Sequence, residues 1–314
     1  MGLAIGVDVG GTKIAAGVVD EQGRILSRTR RSTPSRDLDA VLAMIIEIVD
    51  ELAALHPIDS VGIGTAGFVD SGRSKVLLAP NLGWVNAPLR LTVERATELP
   101  VVVENDANAA AWGERRFGAG RGALDLIVIT VGTGIGGGLI FNGQLYRGQH
   151  GLAAEVGHML VEPDGRLCGC GQRGCWEQYG SGNALVREAR ALAGEQRESA
   201  TQLFELGDGT PEGVQGAHVT AAARAGDPVS LQAFATVGDW LGIGLANLAA
   251  LLDPEGFVLG GGVSEAGDLL LGPTREAFLA HLSGRDIRPV VPEVRLAELG
   301  NDAGIVGAAD LSRV

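Results

Sequence analysis

His158, Cys168, Cys170 and Cys175 fall within 18 residues, in the order His-x9-Cys-x-Cys-x4-Cys. One imidazole and three thiolates make a tetrahedral zinc set. Four protein ligands leave no open position, so the metal expected is a structural Zn2+. Gly169, Gly171 and Gly174 lie between the cysteines and let the backbone turn sharply enough to aim three sulfurs inward. The bland alternative is a group of inert reduced cysteines beside a histidine. The odd cysteine count disfavours disulfides.

Two carboxylates frame this cluster. Glu155 precedes His158 by three residues, and Glu177 follows Cys175 by two. Each alone reads as a solvated surface acid. Together, on segments that a metal would hold rigid, they suit vicinal hydroxyls. A zinc-bound neutral imidazole carries N–H on its other nitrogen, which can donate to a further hydroxyl.

A second kind of chemistry stands at the start of the chain. Asp8-Val9-Gly10-Gly11-Thr12-Lys13 places an acid, two glycines, a hydroxyl and an amine after an apolar stretch. Consecutive backbone N–H groups in such a turn form an anion-binding nest. Thr12 adds a hydroxyl, Lys13 a positive charge, and Asp8 can hold Mg2+ through water. Gly132-Thr133-Gly134 repeats the turn without the acid. At an offset of 121 residues, Gly11 falls on Gly132, Thr12 on Thr133 and Gly17 on Gly138. Two matching turns suggest a phosphate clamp in two similar halves; chance likeness of two glycine hairpins is the alternative. No G-x-x-x-x-G-K-[ST] loop is present.

Glu104-Asn105-Asp106 ends one apolar run and opens an alanine-rich one. Asn and Asp there suit a helix cap. A carboxylate at a strand's C-terminal end also points into the usual α/β ligand crevice. The helix dipole is expected to keep Asp106 ionised, ready to orient a hydroxyl for phosphoryl transfer.

The elements that must position these groups follow from periodicity. Strands are expected at 3–9, 14–19 and 24–30, a helix at 37–55, a strand at 60–65, a helix at 93–99, a short buried strand at 101–104 and a helix at 106–117. The strand pattern recurs at 126–131, 136–141 and 144–146, with Asn142-Gly143 as a hairpin turn. Helices are expected at 184–192, 228–252, 269–282 and 303–311, and strands at 257–259 and 290–296. Residues 194–216 read as a surface loop or short helix.

Glycine is the compositional outlier, with 49 of 314 residues against about 7% ordinarily. It is clustered, which signals tight turns or close ligand approach. A net charge of −13 argues against nucleic acid and anionic membrane as partners. No uninterrupted apolar run approaches membrane length, and a strand follows Met1 without a basic or apolar leader. A cytoplasmic protein of two domains is expected.

At these residues the chain resembles the ROK family of sugar kinases and regulators, and within it the bacterial glucokinases. The matching segments are Asp-Val-Gly-Gly-Thr-Lys at 8–13, Glu-Asn-Asp-Ala-Asn-Ala at 104–109 and Gly-Thr-Gly-Ile-Gly-Gly at 132–137. Glu-Val-Gly-His at 155–158, Cys-Gly-Cys-Gly-Gln-Arg-Gly-Cys-Trp-Glu at 168–177 and Leu-Gly-Gly-Gly-Val at 259–263 complete the set. The resemblance implies an actin-like, ribonuclease-H-like α/β ATPase fold with two lobes: 1–118 plus 300–314 as a smaller domain and 119–299 as a larger one carrying the zinc. It implies ATP-dependent phosphorylation of a hexose, glucose first and N-acetylglucosamine, N-acetylmannosamine, mannose or fructose as alternatives, with Asp106 as general base. Sugar contacts would come from Gly67, Asn105, Asp106, Glu155, His158 and Glu177. The two glycine turns would hold the phosphates of ATP with Mg2+, and Gly261, Gly262 and Val263 would lie beside the adenosine. Family members are homodimers or homotetramers. A regulator of the same family would need a DNA-binding module before the core. The strand at 3–9 and the acidic balance speak against that reading.

Overall fold

The computed structural model describes residues 2–34 and 37–314. The chain divides into two compact units. One comprises residues 1–128, 137–154 and 297–314, the other residues 129–136 and 155–296.

The first unit opens with β1 (Leu3–Val9), β2 (Lys13–Val19) and β3 (Ile25–Ser32), then α1 (Leu38–Ala53) and β4 (Ile58–Thr65). Next come β5 (Phe68–Val69), β6 (Val76–Ala79), β7 (Trp84–Ala87), α2 (Leu89–Thr97), β8 (Val101–Asn105) and α3 (Asp106–Phe117). The main sheet runs β3-β2-β1-β4-β8. β1 is antiparallel to β2 and parallel to β4, which is parallel to β8. The parallel strand β1 is a nearly continuous apolar run, as burial on both faces requires, and β4 is buried from Ser60 to Thr65 with glycines between its aliphatic residues. The edge strand β3 instead alternates exposed and half-buried residues, with Arg28 and Arg30 on its outer face.

α1 covers one face with Val41, Leu42, Ile45, Ile48, Val49 and Leu52. Burying six such side chains contributes on the order of 10 kcal/mol before chain entropy is counted. Asp37 caps this helix by accepting from the backbone N–H groups of Asp39 and Ala40. The closing helix of the chain, residues 303–311, covers the other face. Gly6 and Gly62 are partners across β1 and β4. A Cβ on Gly6 would overlap the Ile305 carbonyl, and one on Gly62 that of Ala308. Two paired glycines thus let the helix backbone lie directly on the sheet.

β9 (Leu126–Val131), β10 (Ile135–Phe141) and β11 (Gln144–Tyr146) follow, and β9 and β10 contribute residues to both units. The second unit then carries α4 (Glu177–Gly180), α5 (Gly182–Glu195), α6 (Thr201–Leu206), α7 (Gly216–Arg224) and α8 (Pro228–Leu252). β12 (Gly256–Gly260), α9 (Asp268–His281) and β13 (Glu293–Leu296) complete it, and α10 (Ala303–Leu311) returns the chain to the first unit. The second sheet runs β11-β10-β9-β12-β13. α8 starts at Asp227, whose carboxylate accepts from Ser230 N at 2.8 Å, with Pro228 in the first turn. By length and composition it could cross a membrane, but half of its most apolar stretch is buried inside the fold, where it packs along α9.

Several elements differ from the sequence expectation. Residues 68–87 hold a three-stranded sheet, β5-β6-β7, that no period announced; its strands have two to four residues. α2 begins at Leu89, not at 93. The stretch 194–216 contains α6 and a 3-10 turn at Arg197–Ser199.

Candidate active site

In the first unit the end of β8 delivers two side chains side by side. Asn105 is the N-cap of α3. Its Oδ1 accepts from Asn108 N at 3.0 Å, and its Nδ2 donates to Gly67 O at 3.1 Å. Gly67 has φ +109, and a Cβ there would lie 2.5 Å from Leu78 O, so only glycine fits. The sequence-chosen pair Gly67 and Asn105 is therefore in direct contact.

Asp106 is the first residue of α3 and accepts at Oδ1 from Ala107 N at 2.9 Å. As a residue it is partly exposed, yet desolvation of its carboxyl raises its pKa above the usual Asp range. The pull of the helix N-terminus expected at Asp106 is present, but it does not set the direction of the shift. Backbone N–H groups and Asn105 pull the pKa down, but burial outweighs them. Asp8, at the end of β1, is pushed up to about 6 by burial and by the Asp106 charge, with Lys13 opposing.

The turn between β1 and β2 is closed by Gly10 N donating to Lys13 O at 2.9 Å. Thr33, which the sequence reading passed over, braces it. Its N–H donates to Thr12 O and its hydroxyl to Gly10 O at 2.7 Å. Gly11 and Thr12 are exposed, and a Cβ on Gly11 would meet open space. The glycine is thus not required by packing, and its backbone is open to solvent.

In the second unit one turn gathers most of the remaining residues. Gly132 N donates to Gly134 O at 3.0 Å, and Thr133 is exposed. Gly182, opening α5, donates to Gly132 O at 2.8 Å, and a Cβ on it would approach that oxygen at 2.7 Å. That same position is 3.0 Å from a Val263 methyl. Gly261, at φ +83, packs its backbone against Val131. Glu177 Oε2 lies where a Gly134 side chain would go, 2.5 Å from its Cβ. Gly157, in the 3-10 turn Val156–His158, lies against the Ile135 carbonyl. His158 N donates to Glu155 O at 3.0 Å. Glu155, His158 and Glu177 are thereby tied to the segments around the 132–135 turn. Ser181 and Gly182 were not singled out from sequence; the Ser-Gly pair at a helix start was their only signal.

The donor atoms of His158, Cys168, Cys170 and Cys175 all lie within 4.8 Å of one another. Cys168 Sγ is 3.7 Å from His158 Nδ1, and Cys170 Sγ is 3.7 Å from Cys175 Sγ. Zn–S bonds of about 2.3 Å and a Zn–N bond of about 2.0 Å at tetrahedral angles give edges of about 3.5–3.8 Å, so the set fits zinc. With Nδ1 turned to the cluster, Nε2 of His158 is the nitrogen left for another partner. Burial, with the Glu177 carboxylate adding to it, pushes the Cys168 thiol up to about 12, and burial also raises Cys175. Backbone donation at Gln172 lowers Cys170. Three thiolates need a cation to offset that cost.

A ROK family model matches residues 4–314. The chain belongs to the ROK family. It is 53% identical over 313 residues to the glucokinase of Streptomyces coelicolor, covering 100% of this chain and 98% of that protein. A crystal structure of a ROK family glucokinase from Streptomyces griseus in complex with glucose and AMPPNP matches with a TM-score of 0.92 at 54% identity, over 99% of both chains. The N-acetylmannosamine kinase of Vibrio cholerae is 39% identical over 264 residues, 83% of this chain and 84% of that protein. The ROK chain described here thus has the actin-like ATPase fold of its family's kinases.

Proposed function

We propose that this ROK chain transfers the γ-phosphoryl group of ATP to glucose, giving glucose 6-phosphate and ADP. The observation that carries the reading is the likeness, over 99% of both chains at 54% identity, to a glucokinase holding glucose and an ATP analogue. The local geometry supports it, with two glycine turns, one beside Asp8 and Asp106 and one beside Glu177.

Asn105, Asp106 and Gly67, with Glu155, His158 and Glu177, bind the sugar. Asp106 accepts the proton of the 6-hydroxyl as the new O–P bond forms and the bond to the leaving ADP oxygen breaks. Its raised pKa makes it a stronger base than an ordinary aspartate. A loose phosphoryl-transfer transition state asks chiefly for orientation and charge stabilisation. Backbone N–H groups at Gly10, Gly11, Thr12, Gly132, Thr133 and Gly134, with Lys13, hold the phosphates, while Gly261, Gly262 and Val263 flank the adenosine. Asp8 serves the Mg2+ that accompanies ATP. His158, Cys168, Cys170 and Cys175 hold a structural Zn2+, which supplies rigidity and no chemical step.

A kinase for an N-acetylated hexose is the second reading, favoured by the 39% identity to an N-acetylmannosamine kinase. ADP release measured over a hexose panel decides between them. Glucose should give the highest kcat/KM, and Asp106→Asn should lower kcat at least about 10³-fold. Preference for an N-acetylated sugar would replace the first reading. An Asp106→Asn enzyme as fast as wild type would remove Asp106 from the chemistry. We further infer a homodimer or homotetramer in the cytoplasm, on the family resemblance; light scattering after gel filtration tests the assembly.

A further inference from the structure

Glu104 is only 3% exposed, and it directly precedes Asn105 and Asp106. A buried carboxylate is costly unless it is paired and fully hydrogen-bonded. Glu104 is both, and its two oxygens have different work. Oε2 accepts from Arg147 Nε at 2.7 Å and lies 3.6 Å from Arg73 Nε. Oε1 accepts from Asn105 N and from Asn108 Nδ2, each at 3.1 Å. Those two donors set the geometry of the Asn105 residue. One is its own backbone N–H. The other belongs to Asn108, whose backbone N–H occupies Asn105 Oδ1. With Oδ1 committed to the helix, Asn105 Nδ2 is directed at Gly67 O.

The two arginines come from elsewhere in the same unit. Arg147 lies just after β11. Arg73 sits at φ +53 in the turn between β5 and β6, and its Nη2 donates to Leu311 O at 2.8 Å at the end of α10. A helix cap alone needs no buried charge, because Asn105 Oδ1 already supplies it. The ion pair therefore has a further consequence. It fixes the plane of the Glu104 carboxylate, and so the peptide that carries Asn105 and Asp106.

We propose that Arg147 is a positioning residue for the phosphoryl-transfer site, acting through Glu104 to hold the Asn105–Asp106 backbone in register with Gly67. Without Arg147, Glu104 keeps only the longer contact to Arg73. Its carboxylate then turns toward Arg73 or takes up a proton. Either movement withdraws Oε1 from Asn105 N and Asn108 and lets the Asp106 carboxylate drift. A misplacement of about 1 Å costs about 10²-fold in rate, so the loss falls on kcat. The ATP contacts proposed at the glycine turns do not involve these residues, so KM for ATP stays within about twofold.

The inference rests on the glucokinase reading, and wild-type turnover of glucose tests that reading first. If the wild type phosphorylates no hexose, the reading fails whatever Arg147 does. With an active wild type, Arg147→Ala is expected to lower kcat about 10²-fold. Added guanidinium ion at millimolar level should restore it at least tenfold, and sodium at equal ionic strength should not. A lower melting temperature with kcat per folded molecule within twofold of wild type would overturn the proposal. So would a loss borne by KM for ATP, or a kcat loss that guanidinium leaves untouched. If the alanine variant does not fold, Arg147→Lys decides, since it keeps the charge and loses the Nε–H. A tenfold lower kcat supports the proposal, and an unchanged one overturns it.

Discussion

The Cys168 thiol donates to Glu177 Oε1 at 3.0 Å, so a candidate metal ligand touches the carboxylate proposed to bind the sugar. The contact depends on the thiol proton. A zinc-bound Cys168 is a thiolate with nothing to donate, so metal loading frees Glu177 Oε1 to accept from another group. Cys170→Ser should therefore lose zinc and leave Glu177 held by Cys168. The expected result is zinc loss by elemental analysis and a glucose KM at least about tenfold higher, the cost of one charge-assisted hydrogen bond. Unchanged glucose affinity without zinc would show that the metal serves the fold alone.

Glu177 has a second neighbour. The space beside Gly134 is filled by Glu177 Oε2, the mobile end of a flexible side chain. Gly134→Ala should consequently cost less than about 1 kcal/mol in stability, because the carboxylate can swing aside. Sugar binding should suffer, with the glucose KM rising about five- to tenfold as Glu177 leaves its place. Gly182→Ala is the contrasting control, since its Cβ meets the Gly132 backbone oxygen. That variant should lower the melting temperature clearly, by mechanisms of overpacking. A Gly134→Ala enzyme with wild-type glucose KM would separate Glu177 from the sugar.

Gly67→Ala tests the frame on the other unit. Alanine resists φ +109, and its Cβ would press on Leu78 O at 2.5 Å. A loss of about 1–3 kcal/mol is expected from the strained backbone. Because Asn105 Nδ2 binds Gly67 O, kcat should fall as well. Denaturant unfolding and steady-state kinetics read the two effects separately.

β1 was legible because burial on both faces leaves a nearly continuous apolar run. The His158–Cys175 cluster was legible because its four side chains are local, all within 18 residues. β5, β6 and β7 were not, since strands of two to four residues carry too few positions to show a period. The Glu104 network was hidden for another reason. Arg147 and Arg73 lie 43 and 31 positions away in the chain, and nothing local marks them as partners. The direction of the Asp106 shift was not legible, because the helix dipole is visible in sequence while the desolvation that outweighs it is set by tertiary packing.

Asp8 links function to stability. Its pKa is raised to about 6 by burial and by Asp106. A carboxyl whose folded pKa exceeds its unfolded value of 3.8 binds its proton more tightly when folded. Between those values the folded state holds more protons, so this group's contribution to stability falls as pH rises from about 4 to about 6, and above 6 it is a constant penalty. Asp8→Asn removes the charge and keeps the shape. The variant should be more stable than wild type at pH 8, by at most about 3 kcal/mol for a shift of about two pKa units. The advantage should shrink as pH is lowered through 6 and vanish near 4. Its kinase activity should collapse, because an amide serves Mg2+ poorly in place of a carboxylate. Melting curves across pH 4–8 for both proteins provide the check. A variant less stable than wild type at pH 8 would mean that Lys13, which opposes the shift, outweighs burial.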